Sequence, residues 1–567
     1  MSVSAASVTT ASIRPELVPE QLARSKSRVW VVAALALLLL WGCGFRVYQL
    51  GAEGLSEDEL NKVRAAAEYR ERGLTSANGE HPLLMKALLT GSIVLAERWN
   101  STQTARSNPQ LQMQVETAAR LPAALFGALT TLLIFLVASE LFGTSIGLTA
   151  AALWAFDPQA IGFNRIAKED TFLLFFFLLA NVFWLRGQRA AEEGRAHAER
   201  FYWATAASFG AMMASKYMPH FLAISGSYYY IFQGMAATKW RMGKVRWLIF
   251  FVVMGAVFLL CNPTILLPDT WREMKIFAGE RRIGHDSYEF MGELYRNQMT
   301  LWLKGSPWYF YYVFMGVKLP LLSLAAFLVG LPLLFTRRLG DGRFFILFWL
   351  FYWFFPFTFL GGKFTRYFTL ALPVVLITSA IGLHAVARIL APLVERLSTS
   401  ERLKSTLRAA PAFVAVALAA YASASAAPNF RLYTNALGGG MTRAGSYFPH
   451  DEFYDSSIRE TVRAMLPRAR TGARVASETP ELVAYYARQQ GRDGLVSVSL
   501  SDAAAMREFK EGDIVLVARG RRYFSNERTV AALRRVSAPA LSVALGQVPA
   551  AEVFVLDSAG ARAVSQP

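Results

Sequence analysis

Two cysteines, Cys43 and Cys261, each inside an apolar run, leave no material for a disulfide framework or a cysteine metal cage. The six histidines form no compact His/Cys motif, and no internal repeat is found. Charged residues are scarce, 18% against 54% hydrophobic, and mean hydropathy is +0.30, which excludes an ordinary soluble protein and points to a polytopic membrane protein. Acidic residues number 41 against 59 basic ones, a net charge of +18. The Lys and Arg residues lie mostly in short links between apolar spans, which reads as a topology signal and excludes nucleic acid as a partner.

Long apolar runs are what the chain does have. Residues 29–50 are long enough for a bilayer, which takes roughly 20 apolar residues. Further spans are expected at 120–141, 145–163, 171–186, 201–215, 218–234, 246–267, 308–335, 343–361, 367–390 and 411–427, about eleven in all. Arg24, Lys26 and Arg28 put the N-terminus inside, with 1–28 as a disordered cytoplasmic tail. The first span lacks a small-x-small exit and is expected to stay uncleaved. Four basic links fall on the same side: Arg186 to Arg200, Lys239 to Arg246, Arg337 to Arg343, and Arg388 to Arg408. The expected protein is therefore a multi-pass inner (plasma) membrane protein with residues 29–430 as its core. Its large outer loop covers 51–117, and an extracytoplasmic α/β domain covers 431–567. Within that domain GARVASE, LVSVSL, GDIVLVA and AEVFVLD read as strands, and 480–490, 501–509 and 526–536 as helices.

Just beyond the first span stands Glu57-Asp58-Glu59, an acidic run at the outer face. Ser56 with Glu59 three residues later also fits a capping box. Arg120, Arg165, Lys168, Lys216, Lys363 and Arg366 are basic residues on the side where basic residues are not expected. A charge beside hydrocarbon is expensive unless paired, solvated or functional, and cations converging there suit a lipid phosphate. Snorkelling to ordinary headgroups is the bland alternative.

GLSEDEL, GEHPLLMKALL, TAARLPAALFGAL and FNRIAKEDTFLLFF resemble, in order and spacing, motifs of glycosyltransferase family 39. That group holds the protein O-mannosyltransferases and their bacterial relatives, with a GT-C fold. The second segment keeps His81, Pro82 and Lys86, but Leu83 replaces a second proline. ASKYMPHF, GHDSYEFMGELY, SPWYFYYVFMGVKLPL and GGKFTRYFTLALP resemble later segments of bacterial members, including aminoarabinose transferases. The resemblance covers 29–430 and carries no function onto the tail.

The resemblance implies a membrane enzyme that moves a sugar from a polyprenyl-phosphate donor to an acceptor hydroxyl of a protein, lipid or glycan. It implies inversion at the anomeric carbon. It makes Asp58 the catalytic base, Glu59 its partner, and Asp170 a group that positions the acceptor or a neighbouring cation. His81, Lys86, Arg120, Arg165, Lys216, Lys363 and Arg366 are the expected substrate-binding residues. His285 and Tyr288 lie in an outer loop expected to cover the donor. Asp58, Glu59 and Asp170 offer oxygen ligands for a hard cation, but the family's O-mannosyltransferase branch implies no metal and no other cofactor. Should Glu59 serve mainly as a cap, replacing it costs folding only about 1 kcal/mol. The rival class is a transporter of lipid-linked sugars that breaks no bond. Repeated halves and interrupted helices would mark it, and the sequence shows neither clearly.

Overall fold

The computed structural model describes residues 17–234, 242–279, 285–299, 301–397 and 400–566. Helix α1 (Leu17–Val47) leads into three helices of the first loop: α2 (Glu57–Arg72), α3 (Leu83–Asn100) and α4 (Gln103–Ser107). The membrane core continues with α5 (Val115–Phe142), α6 (Thr144–Phe156), α7 (Pro158–Asn164), α8 (Glu169–Glu192), α9 (Glu199–Ser215), α10 (Leu222–Gly234) and α11 (Lys244–Cys261). After α12 (Pro268–Gly279) comes an antiparallel hairpin, β1 (Ser287–Phe290) with β2 (Glu293–Arg296). The core closes with α13 (Phe310–Lys318), α14 (Leu321–Leu333), α15 (Gly342–Phe359), α16 (Leu372–Leu397) and α17 (Glu401–Ala426).

Among the described residues seven helices are long and apolar enough to cross a bilayer, so the chain is a multi-pass membrane protein. The four other expected spans are present as shorter or broken helices. The stretch 145–163 breaks between α6 and α7, and 308–335 between α13 and α14. Each break falls at a residue followed by proline, Asp157 and Leu319, both in extended backbone as a following proline requires. Three backbone groups at the first break are satisfied within the protein. Asp157 Oδ1 accepts the Ala160 N–H at 2.8 Å, and the fully buried Arg46 donates to the carbonyls of Trp154 and Ala155 at 3.2 and 3.3 Å.

Two expectations need correction or restriction at the N-terminal and basic segments. The described residues are helical from Leu17 on, inside the stretch expected to be a disordered tail, because Leu, Glu, Gln, Ala and Arg there extend the helix of the first span. Residues 1–16 lie outside the described residues, as do Lys239 and Arg241 of the second basic link.

Beyond the core come α18 (Pro449–Phe453), α19 (Ile458–Met465), β3 (Arg474–Ala476), α20 (Pro480–Gln489), β4 (Val496–Val498) and α21 (Ala503–Met506). These are followed by β5 (Ile514–Ala518), α22 (Glu527–Val536), β6 (Leu541–Leu545), β7 (Val548–Val555) and α23 (Ser558–Ser565). The five strands form one sheet in the order β4-β3-β5-β7-β6, parallel across β4, β3 and β5 and antiparallel at β7 and β6. Alternation along β5 sends Val515 to one face, packed with Leu500, Met506, Phe509, Leu533 and Val564. Ile514, Leu516 and Ala518 go to the other, packed with Ile458, Val462, Leu482 and Tyr486. That second face also buries Leu55 and Leu60 of the first loop, both 0% exposed. Burying each contributes about 1.5 to 3 kcal/mol. The sheet thus packs directly on the segment that carries the acidic run.

Candidate active site

The capping box is present, with Ser56 Oγ accepting the Glu59 N–H at 3.3 Å and Glu59 Oε2 accepting the Ser56 N–H at 2.9 Å. It fixes the first turn of α2, and successive side chains then point roughly 100° apart. Three adjacent carboxylates therefore meet three surroundings. Glu57 Oε2 accepts from Arg521 at 3.1 Å. Asp58 opens onto a cavity. Glu59 turns inward and is fully buried against α5, where Arg120 grips it with two bonds of 2.8 and 2.7 Å. Arg120 uses its other N–H groups on the carbonyls of Leu50, Glu53 and Gly54, and Glu59 also accepts the Ala167 N–H at 2.9 Å.

The cavity beside Asp58 has a volume of about 490 Å³. Its wall includes Asp58, His81, Lys168, Glu169, Lys216 and Arg366. Asp58 Oδ2 takes bonds from Lys168 Nζ at 2.7 Å and from the Tyr454 hydroxyl at 2.8 Å, while the side chain stays 38% exposed. Burial alone would raise its pKa, but Lys168, Lys62 and Arg366 outweigh burial and hold Asp58 well below the usual carboxylate range. Lys216 donates to Asp170 Oδ1 at 2.6 Å and lies 4.8 Å from the Tyr367 ring centroid. Arg366 sits 4.0 Å over Phe364 and reaches Asp451 at 3.4 Å. Burial, with Lys62 and Lys168 nearby, pushes His81 down to about 3 against the pull of Glu169, so its imidazole is neutral at physiological pH. This places an ionised carboxylate with one free edge beside three cations.

Residues 107–266 match the family model described as dolichyl-phosphate-mannose-protein mannosyltransferase. No curated protein sequence matches significantly. Among solved structures, AglB, the oligosaccharyltransferase of Archaeoglobus fulgidus in complex with an inhibitory peptide and a dolichol-phosphate, aligns over 87% of this chain and 70% of its own. The identity is 11% and the TM-score 0.50. ArnT from Cupriavidus metallidurans bound to undecaprenyl phosphate aligns over 92% of this chain and 98% of its own, at 15% identity and TM-score 0.46. The chain has the GT-C fold.

Of the residues singled out in the sequence, the GT-C core brings Asp58, His81, Lys216 and Arg366 to the cavity wall, with Lys168. Six others stand elsewhere. Glu59 and Arg120 are spent on each other, so neither reaches the cavity. Asp170 meets the cavity only through Lys216 and makes no ion pair with Arg165. Arg165 instead caps the C-terminus of α1, donating to the carbonyls of Arg46, Tyr48 and Gln49 at 3.0, 2.6 and 3.0 Å. Lys86 is buried and bonds the carbonyls of Ala77 and Asn78 at 3.0 and 2.7 Å, bracing the turn that presents His81. Lys363 is fully buried on the carbonyls of Ser306 and Pro307 at 2.8 and 3.1 Å, and burial pushes its ammonium down to about 8. In each of these cases the cation answers backbone carbonyls or a buried carboxylate of the fold.

Several residues on the wall were not foreseen. Glu169, next to the chosen Asp170, faces the cavity and pairs with Lys62 at 3.1 Å. The C-terminal domain adds His450, Tyr454, Asp455 and Arg521. Arg521 donates to Asp455 and contacts His285 Nε2 at 2.6 Å, and His285 stacks on Tyr523 with centroids 4.1 Å apart. His285 and Tyr288, expected in a loop over the donor, both line the cavity, Tyr288 with its hydroxyl on Asp451 at 2.7 Å.

Proposed function

We propose that this protein transfers a sugar from a polyprenyl-phosphate carrier to an acceptor hydroxyl at the outer face of the inner membrane, with residues 51–117 and 431–567 both on that face. The observation that carries the reading is the half-exposed Asp58 carboxylate beside Lys168, Lys216 and Arg366 in one cavity of a GT-C core. The dolichol-phosphate in the AglB structure supports a lipid-phosphate donor.

Asp58 takes the proton of the acceptor hydroxyl as its oxygen bonds to the anomeric carbon. The bond from that carbon to the phosphate oxygen breaks, its electron pair leaves with the polyprenyl phosphate, and the configuration inverts. Lys168, Lys216 and Arg366 hold the departing phosphate charge. Together with Lys62, two of these cations, Lys168 and Arg366, also depress the basicity of Asp58. A donor phosphate shares them, so donor binding raises the carboxylate's proton affinity when the acceptor arrives. The neutral His81 completes the polar wall without adding charge. The acceptor class is a protein hydroxyl, a lipid or a glycan, and the sugar a hexose or a pentose.

Purified membranes containing the protein are incubated with radiolabelled polyprenyl-phosphate sugars, and lipid and protein fractions are counted. Label should leave the carrier in an Asp58-dependent manner. Movement of intact lipid-linked sugar across the bilayer with no bond broken would sink the transferase reading.

A further inference from the structure

Tyr454 is separated from Asp58 by 396 positions, yet its phenol O–H donates to Asp58 Oδ2 at 2.8 Å. Tyr454 is 6% exposed, and two guanidinium groups, those of Arg366 and Arg431, lie 5.8 and 5.7 Å from its ring centroid. Backbone at Tyr454 and Asp455 is left-handed, with φ of 44° and 61°. Two consecutive non-glycine residues in that region are uncommon, and such strain persists only where surroundings over-determine it.

The surroundings do so here. Asp455 is gripped by Arg521, accepts the Glu57 N–H at 3.1 Å, and is 4% exposed. The left-handed pair therefore holds the first turn of α2 at two adjacent points, one on backbone and one on the carboxylate. Both bonds to Asp58, from Tyr454 and from Lys168, fall on Oδ2. Among the described residues no hydrogen bond or ion pair falls on Oδ1, which leaves that oxygen for the acceptor proton. Neighbouring cations have duties elsewhere: Arg431, outside the cavity wall, pairs with Glu53 at 2.7 Å, and Arg521 is committed to Asp455.

We propose that Tyr454 is a positioning residue for transfer, fixing the rotation of the Asp58 carboxylate, and that the C-terminal domain is through it a working part of the catalytic site. This rests on the reading of Asp58 as the base. A side chain that merely docked the domain would act through its ring, its contacts with the two guanidiniums, and its burial. A positioning role resides in the hydroxyl, because the hydroxyl makes the hydrogen bond to Asp58.

Tyr454→Phe separates the two, since it keeps the ring and removes the donor. In the full-length protein, transfer of a radiolabelled polyprenyl-phosphate sugar is measured for wild type, Tyr454→Phe, Asp58→Asn and the double variant, with donor KM, kcat and melting temperature recorded. Tyr454→Phe should lower kcat about 10-fold or more, the loss expected for a hydrogen bond to a charged group. Donor KM and melting temperature should hold, and the substitution should cost nothing further in the residual activity of Asp58→Asn. Wild-type kcat in Tyr454→Phe, with Asp58→Asn inactive, would overturn the positioning role and leave the transferase reading standing. An equal loss in both backgrounds would show that Tyr454 acts independently of Asp58 and overturn the proposal. Full activity in Asp58→Asn would remove the base itself, and the proposal with it.

Discussion

Replacing Glu59 by Gln tests the buried clamp at the base of the acidic run. As a capping residue alone, Glu59 would be worth about 1 kcal/mol. The structure gives it a heavier duty: fully buried, it takes two bonds from Arg120 and accepts the N–H groups of Ser56 and Ala167. Burial would raise its pKa, but Arg120 outweighs burial and holds it down to about 2, from an ordinary value of 4.5. A depression of that size corresponds to about 3 kcal/mol. Removing one partner of a buried pair typically costs about 3 to 5 kcal/mol, because the other charge is left unpaired. The Gln variant should fall near the lower end, since Arg120 keeps its three backbone carbonyls. The folded-state pKa is depressed, so this stability is present above pH 4.5 and is lost as pH falls toward 2. Thermal unfolding in detergent at neutral pH, followed by loss of tertiary signal, measures the difference between wild type and Glu59→Gln. A difference below about 1 kcal/mol would refute the clamp and restore the simple cap.

Asp58→Asn should retain donor binding while transfer falls about 100-fold to 10,000-fold, measured as turnover at matched expression. Lys216→Ala and Arg366→Ala should each weaken donor binding by about 1.5 to 3 kcal/mol, read by titration with the lipid-phosphate sugar. Lys363→Ala should leave donor affinity unchanged, because its ammonium is bonded to backbone carbonyls away from the cavity. With a membrane-impermeant thiol reagent on intact cells, a cysteine at position 500 should label and one at 195 should not. The reverse pattern would invert the topology.

The spans were legible in the sequence because hydrocarbon demands long apolar runs, and their breaks follow from Pro158 and Pro320, whose consequence a hydropathy window averages away. Four strands of the C-terminal sheet were legible by their apolar runs, whereas β6 was not, its alternate residues being only half buried. Asp58 stood out as an acid where chemistry is expected. Glu59 looked equivalent, and only the turn of the helix separates an exposed carboxylate from one locked on Arg120. Arg165, Lys86 and Lys363 carry the right charge on the right side, but composition does not distinguish a cation facing a cavity from one serving carbonyls. Tyr454 and Arg521 left no local signal, since their importance comes from a contact across most of the chain.

The docking of the C-terminal sheet on the acidic run also sets a clock. Asp58 is made early, while Tyr454 and Arg521 are made late, and the strand β7 that flanks β5 later still. Domains fold as units while the chain is being synthesised. A nascent chain halted after α17 would have the spans of its core and an acidic turn whose Leu55 and Leu60 lack the sheet that buries them. The bond from Tyr454 that holds the Asp58 carboxylate forms only when the last quarter of the polypeptide arrives.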